Sequence, residues 1–235
     1  MAHHLDPLLR PSSIAVIGAS ASAGVGRRIL ETLLHGQYQG TLYALNPKYD
    51  DVLGVPCFPD LAALPEPVEH VVFAVSDHRI EPIFEEAVKM GVKAMTIMSM
   101  LYIENDMQPP LKDRLQRRVQ ETGVLVCGAN GMGFYNFADR VTVGGFATRP
   151  NHIAGNVALI SHSGSGMAGI IDCDERINFN LTVSAGQELS VGMHDYLDFA
   201  LEMPTTQVVG LFMETVRKPD LMIQAFAKAA SKQIP

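Results

Sequence analysis

The stretch "SIAVIGASASAGVGRRILETLLHGQ", residues 13–37, restricts the fold more than any other part of the chain. A short run rich in β-branched residues ends at Gly18. A turn carrying Gly18, Gly24 and Gly26 then leads into apolar residues at helical spacing, closed by Gly36. A strand buried on both faces reads as a continuous apolar run, and its parallel neighbour needs a crossover helix. The pattern repeats. "GTLYALNP", "EHVVFAVS", "KAMTIMSM" and "VLVCGAN" read as further strands, with "IEPIFEEAVKMG" and "PPLKDRLQRRVQETG" as helices among them. The run "NFADRVTVGGFATRPNHIAGN", punctuated by Pro150 and Gly155, breaks the rhythm and reads as a connection. The alternation restarts with the strands "NVALISHS", "LTVSAG" and "VVGLFMET", each followed by a helix. Two α/β units are expected, over residues 1–148 and 152–235, with parallel sheets and right-handed crossovers. The last helix, "DLMIQAFAKAASK", has no strand after it to receive its crossover, so the second unit is expected to be truncated at its C-terminus and the chain a fragment.

Charge and cysteine usage narrow the partners. Eighteen Lys and Arg stand against 25 Asp and Glu, a net charge of −7, and no basic run occurs. This disfavours nucleic acid, and any anionic ligand must be held by local groups against the overall field. No apolar run approaches the ~20 residues of a membrane span, and "MAHHLDPLLRPSS" lacks a secretory signal pattern. Cys57, Cys127 and Cys173 are odd in number and widely spaced, which predicts reduced thiols in a cytoplasmic protein. No metal site is expected, His3 and His4 at the terminus included.

Glycines between a first strand and helix let backbone N–H groups approach a phosphate at the helix N-terminus. The spacing here is neither G-x-G-x-x-G nor a P-loop, since no G-K-[ST] follows. The second strand ends "LNPK", with Lys48 where a nicotinamide-binding unit usually carries the acid that holds a ribose diol. Lysine suits an additional phosphate, leaving NADP or a phosphorylated ADP such as that of coenzyme A. Further on, "LISHSGSGMAG" sets His162 between Ser161 and Ser163. A hydrolase elbow is G-x-S-x-G, whereas the residues here are S-H-S-G-S-G. The competing readings are a phosphate-facing helix start or hydroxyls that only cap the helix.

Several motifs, in order, resemble the NDP-forming acyl-CoA synthetases, whose relatives include the succinyl-CoA synthetase α subunit. They are "PSSIAVIGAS…GVGRRILETLLHGQYQGTLYALNPKYDDVLGVPCFPDLAALP", "VCGANGMGFYN", "GNVALISHSGSGMAG", "SAGQ" with "DYLDFALEMPTT", and "FMETVRKPD". The resemblance covers nearly the whole chain. It implies a Rossmann-like CoA-binding domain followed by an incomplete flavodoxin-like domain. Gly18, Ser20, Ser22, Gly24, Gly26 and Lys48 would hold the CoA phosphates. Ser161, Ser163, Gly164 and Ser165 would face a phosphohistidine loop, with His162 in place of the family's glutamine. Glu214 would orient the phosphohistidine. Asn130, Gly131 and Gly133 would turn near the acyl or thiol end, although Ala129 departs from the family's G-P-N.

The resemblance also implies the reaction: a carboxylic acid and CoA are joined at the expense of ATP or GTP, by way of a phosphorylated histidine. That histidine lies beyond this point in the family, so the isolated chain is expected to be inactive. His35, His70, His78, His152 and His194 match no motif and are expected to be surface or satisfied polar residues. An ATP-grasp domain or β-type subunit would supply the nucleotide and Mg²⁺ site, and an oligomer is admitted. Two other readings compete: a stand-alone CoA-binding module that regulates or scaffolds, and an NADP-dependent reductase.

Overall fold

The computed structural model describes residues 2–149, 152–172 and 176–235, so the expectations for Pro150 and Cys173 fall outside the described residues. A short helix, α1 (Asp6–Leu9), buries Leu8 and Leu9 and precedes β1 (Ser13–Ile17), every residue of which is buried. The first sheet adds β2 (Thr41–Leu45), β3 (Asp51–Val52), β4 (Val55–Phe58), β5 (His70–Phe73), β6 (Ala94–Ile97) and β7 (Leu125–Gly128). Its spatial order is β3-β4-β2-β1-β5-β6-β7, parallel throughout except for β3 against β4. The crossovers carry α2 (Val25–His35), α3 (Asp77–Lys89) and α4 (Leu111–Thr122). Each shows its core residues at helical spacing, as Ile29, Leu30 and Leu33 do in α2. The chain leaves β1 toward β2 on one side and reaches β5 on the other, so the order reverses at β1. Ligands of open α/β sheets bind at the carboxyl ends beside such a reversal.

The β3–β4 hairpin was not anticipated. Leu53 and Gly54 form its two-residue loop with φ of 59° and 80°, the paired positive angles of a type I′ turn. A two-residue strand is too short to leave a periodic pattern.

The second sheet holds β8 (Gly133–Asn136), β9 (Val141–Gly144), β10 (Val157–Ser161), β11 (Phe179–Ser184) and β12 (Val208–Phe212), in the order β12-β10-β11-β8-β9. Strands β10, β11 and β12 are parallel, as expected, and α5 (Gly164–Ile171), α6 (Met193–Glu202) and α7 (Pro219–Ser231) follow them. The expected connection instead contributes β9, which pairs antiparallel with β8, and β8 pairs antiparallel with β11. Both strands are four residues long and buried on both faces, so no alternation marks them. The hairpin ties the two sheets together: Thr32 of α2 donates its hydroxyl to the Thr142 carbonyl at 2.8 Å, and the Thr142 hydroxyl donates back to the Thr32 carbonyl at 2.5 Å. One apolar cluster runs from Ile14, Val16 and Ile29 through Phe134 and Val143 to Ile160 and Leu197. Among the described residues, no helix is long and apolar enough to cross a membrane.

Candidate functional site

At the carboxyl edge of the first sheet, the glycine turn is built by backbone contact. Gly18 adopts φ +84°, and a Cβ there would lie 2.3 Å from the Ala74 carbonyl oxygen, on the segment just past β5. A Cβ on Gly26 would lie 2.4 Å from the Gly18 carbonyl oxygen, so α2 starts against the turn itself. Gly24, by contrast, faces open space. It precedes the first residue of α2, and no side chain caps that end. The leading N–H groups of α2 are thus left for another acceptor.

The strand-end residues close on this turn. Asn46 donates its amide to the Ala19 carbonyl at 2.6 Å, and its side-chain oxygen accepts from the Lys48 backbone N–H at 3.1 Å. The Ser20 hydroxyl accepts from the Ser22 N–H at 3.1 Å and lies 3.4 Å from the Tyr49 hydroxyl. The hydrogen bond from Ser20, with help from the Lys48 charge, holds the Tyr49 hydroxyl below the ordinary tyrosine range. Gly18, Ser20, Ser22, Gly24, Gly26 and Lys48 therefore gather at one edge, with the Lys48 ammonium exposed. Beside them Gly18, Asn46, Pro47, Leu61 and Arg79 help line a cavity of about 120 Å³.

The second cluster lies at the carboxyl ends of β10 and β12. Ser163 is the N-cap of α5, and its hydroxyl accepts from the Gly166 N–H at 3.0 Å. Ser165 is exposed, with its hydroxyl 3.2 Å from that of Ser163. Ser161 is fully buried and donates to the Ser163 carbonyl at 2.8 Å, which makes it a brace for the turn. A Cβ on Gly164 would meet Met132 Cγ at 2.3 Å, so α5 starts against the "GANGMG" loop. That loop joins the two sheets: Gln187 N–H donates to the Ala129 carbonyl at 2.7 Å and Leu189 N–H to the Gly128 carbonyl at 3.0 Å. Asn130 is fastened by its N–H to the Ser99 carbonyl at 2.7 Å. The Ser184 hydroxyl is buried beside Gly131 and Gly164 with no protein partner among the described residues.

His162 turns away from the helix start. Its Nδ1 accepts from the Glu214 backbone N–H at 3.0 Å, which leaves Nε2 to carry the ring proton and donate to Glu188 Oε1 at 2.9 Å. Both ring nitrogens are committed, so His162 is neither a free base nor a free nucleophile. Glu188 is only 8% exposed, also accepts from the Met193 N–H at 3.0 Å, and meets Arg217 at 3.4 Å. Glu214 stands two residues past β12 with an exposed side chain, so its backbone is the part held by the cluster. Sequence reasoning did not single out Glu188 or Arg217. Replacing His162 with alanine is expected to cost about 2 kcal/mol, because it strips a partner from a buried carboxylate and from a backbone donor. His162→Gln, with one acceptor and one donor, is expected to recover most of that loss. Urea unfolding of the two variants checks this, and equal losses would refute the ring's bridging role.

Residues 12–136 match the CoA-binding domain family, and residues 154–235 match the succinyl-CoA ligase-like flavodoxin domain family. A trans-feruloyl-CoA synthase from an unknown prokaryotic organism is 30% identical over 98% of this chain and 34% of its own length. The ADP-forming acetate–CoA ligase I of Archaeoglobus fulgidus is 27% identical over 98% of this chain and 34% of its own. The α subunit of the Pyrococcus furiosus enzyme of that kind is 26% identical, with 98% of this chain and 51% of its own covered. The chain thus spans from about a third to about half of the length of these relatives. Among solved structures, the apo form of the Ca. Korarchaeum cryptofilum dinucleotide-forming acetyl-coenzyme A synthetase 1 superposes with a TM-score of 0.85 at 27% identity, over 97% of this chain and 50% of that one.

Proposed function

Because the chain belongs to the NDP-forming acyl-CoA synthetase family, through a CoA-binding domain joined to a succinyl-CoA ligase-like flavodoxin domain, we propose that it is the CoA-binding part of an acid–thiol ligase. The full reaction in this reading joins a carboxylic acid to CoA and converts ATP or GTP to the diphosphate and phosphate. The residues present fit CoA. Gly24 leaves open space before the uncapped start of α2, and the exposed Lys48 adds positive charge at the same edge. That uncapped helix start is the observation that carries the assignment. Gly18 and Gly26 shape the turn, Ser20 and Ser22 line it, and Lys48 takes the further phosphate. Bound CoA supplies the thiol that accepts the acyl group.

In the same reading, Ser163, Gly164 and Ser165 face a phosphorylated histidine, Ser161 braces them, and the Glu214 carboxylate orients that histidine's ring. The committed nitrogens of His162 support a phosphate carrier elsewhere than His162. The chain alone then binds CoA without turnover. An ATP-grasp domain or β-type subunit brings the nucleotide and Mg²⁺. Exposed Phe212, Met213, Val216, Leu221 and Ile223 around β12 and α7 support a further segment or subunit packing there. We place the assembly in the cytoplasm, with residues 1–148 and 152–235 as its two domains.

Thermal denaturation with CoA, NADP and NAD tests the assignment. CoA at a hundredfold excess over its Kd is expected to add about 2.7 kcal/mol, a rise of about 5–10 °C in Tm. Stabilisation by NADP with none by CoA would overturn it.

A further inference from the structure

A second, larger cavity lies along α2 toward its C-terminal end, walled by β9 and the segment that follows it. Its volume is about 460 Å³, within the range of small-molecule sites. Three arginines, Arg28, Arg140 and Arg149, line it against one glutamate, Glu31. Glu31 is already engaged by Arg27 at 2.8 Å and Arg28 at 3.4 Å. In a chain of net charge −7, this is a local concentration of cations.

Two buried atoms sharpen the picture. Arg149 donates Nε to His152 Nδ1 at 3.3 Å and Nη2 to Asn178 Oδ1 at 3.0 Å, while its Nη1 is buried without a partner among the described residues. His152 is stacked on Phe137, with ring centroids 3.6 Å apart, and its buried Nε2 likewise has no hydrogen-bond partner among the described residues. An arginine can only donate, so His152 Nδ1 is the acceptor and Nε2 bears the proton. Both unpartnered atoms are therefore donors. Buried donors rarely go unpaired, and two of them beside cationic groups call for an acceptor-only partner. Among the described residues, Asp172 is the acid bonded to this stretch, and it accepts from the Arg149 backbone N–H at 3.0 Å.

We propose that this cavity is an oxyanion site in which Arg149 Nη1 and His152 Nε2 hold the phosphate or carboxylate group of a small anionic molecule. Arg140, which donates to Gln37 Oε1 at 3.3 Å, adds charge at the rim. The site is separate from the glycine turn but shares α2 with it: one end of the helix faces the turn, and its flank walls the cavity. Arg149, His152 and Arg140 lie outside the residues assigned to CoA, so this site is independent of the proposed reaction.

The test follows the His152 imidazole by proton–nitrogen correlation NMR in the full chain, with the signal identified by its loss in His152→Gln. Millimolar inorganic phosphate is added in one arm and acetate in another, at constant ionic strength set with chloride. A saturable shift of the His152 signal is expected, and the arm that saturates at lower concentration names the class of head group. Arg149→Gln is expected to weaken that binding about tenfold or more, the worth of one charge-assisted hydrogen bond. CoA titration in that variant is expected to give a Kd within about twofold of the parent. A His152 signal that moves with neither anion, or equally with chloride, overturns the proposal. That readout comes from the unaltered protein, so it does not depend on how well the arginine variant folds.

Discussion

Gly18→Ala is expected to cost the fold about 2–4 kcal/mol and to abolish CoA binding, whereas Gly24→Ala is expected to leave stability within about 0.5 kcal/mol. The two glycines sit in one turn, yet they answer to different constraints. At Gly18 the backbone is left-handed, with φ +84°, a region that costs any other residue about 1 kcal/mol. The added methyl would also sit 2.3 Å from the Ala74 carbonyl oxygen and 2.8 Å from Val75 Cγ1. The oxygen belongs to the backbone just past β5, a buried strand paired with β1 along Ile14–Ile17, and it has little room to yield. Relief must come from moving the turn, and Gly26 pins that turn by its own contact with the Gly18 carbonyl. At Gly24 nothing lies within 4 Å, so a methyl meets only whatever the turn binds. Gly24→Ala is accordingly expected to weaken CoA about tenfold while the fold survives, a ligand effect separated from a folding effect. Denaturant unfolding and CoA titration of both variants check the pair. If Gly18→Ala matches the parent in stability, the tight turn is not the constraint described. If Gly24→Ala binds CoA unchanged, the phosphates do not approach there.

The parts of the fold that were legible share one property: their signal is local. β1, β2, β5, β6 and β7 are apolar runs, and α2, α3 and α4 show a buried stripe every third or fourth residue, so pattern alone finds them. β9 lies inside the stretch that reads as a connection, and β8 just before it leaves no strand pattern, because a four-residue strand buried on both faces has no alternation. What makes β8 a strand is pairing with β11, more than 40 residues away along the chain, and β9 is a strand because it pairs in turn with β8. The same division runs through the site. The glycine turn and the Ser163 cap are written in adjacent residues. The Glu188–His162 contact spans 26 residues and the Arg217–Glu188 contact 29, and no spacing rule connects them. Histidines were the least legible. His162 invites a catalytic reading from its serine neighbours, and its ring instead joins a buried acid to a backbone donor. His70 and His152 carry no motif, yet each keeps a buried ring nitrogen without a partner among the described residues. Their roles are set by what packs against them, which only the folded chain reveals.

Acid is expected to unfold the protein through His70. Taking the pH from about 6.5 to about 4.5 removes about 2 kcal/mol at this residue alone. The ring is 0% exposed, with Nε2 2.9 Å from the Thr96 hydroxyl and Phe134 stacked on it at 5.9 Å. Burial pushes its pKa down from 6.5 to about 3, because desolvation disfavours the charged ring. The unfolded chain takes up the proton near 6.5, and the folded chain only near 3. Between those values the unfolded state binds more protons, so stability falls as the pH falls; above 6.5 neither state binds one and the residue adds no slope. Glu69, next in the chain, acts in the same direction in a more acidic window. The Ser12 N–H, then Lys93, hold it near 2 against an ordinary 4.5, although its partial exposure makes that share small. His70→Phe separates the two. It keeps a ring against Phe134, removes the titrating group, and leaves the Thr96 hydroxyl without its partner at every pH. The variant is therefore expected to start less stable at neutral pH and then to lose about 1.4 kcal/mol less per pH unit than the parent across the His70 window. Urea midpoints measured for both proteins at a series of pH values give that difference directly. Parallel curves would mean that His70 takes up its proton as readily in the folded chain as in the unfolded one, and that the acid sensitivity belongs to the carboxylates.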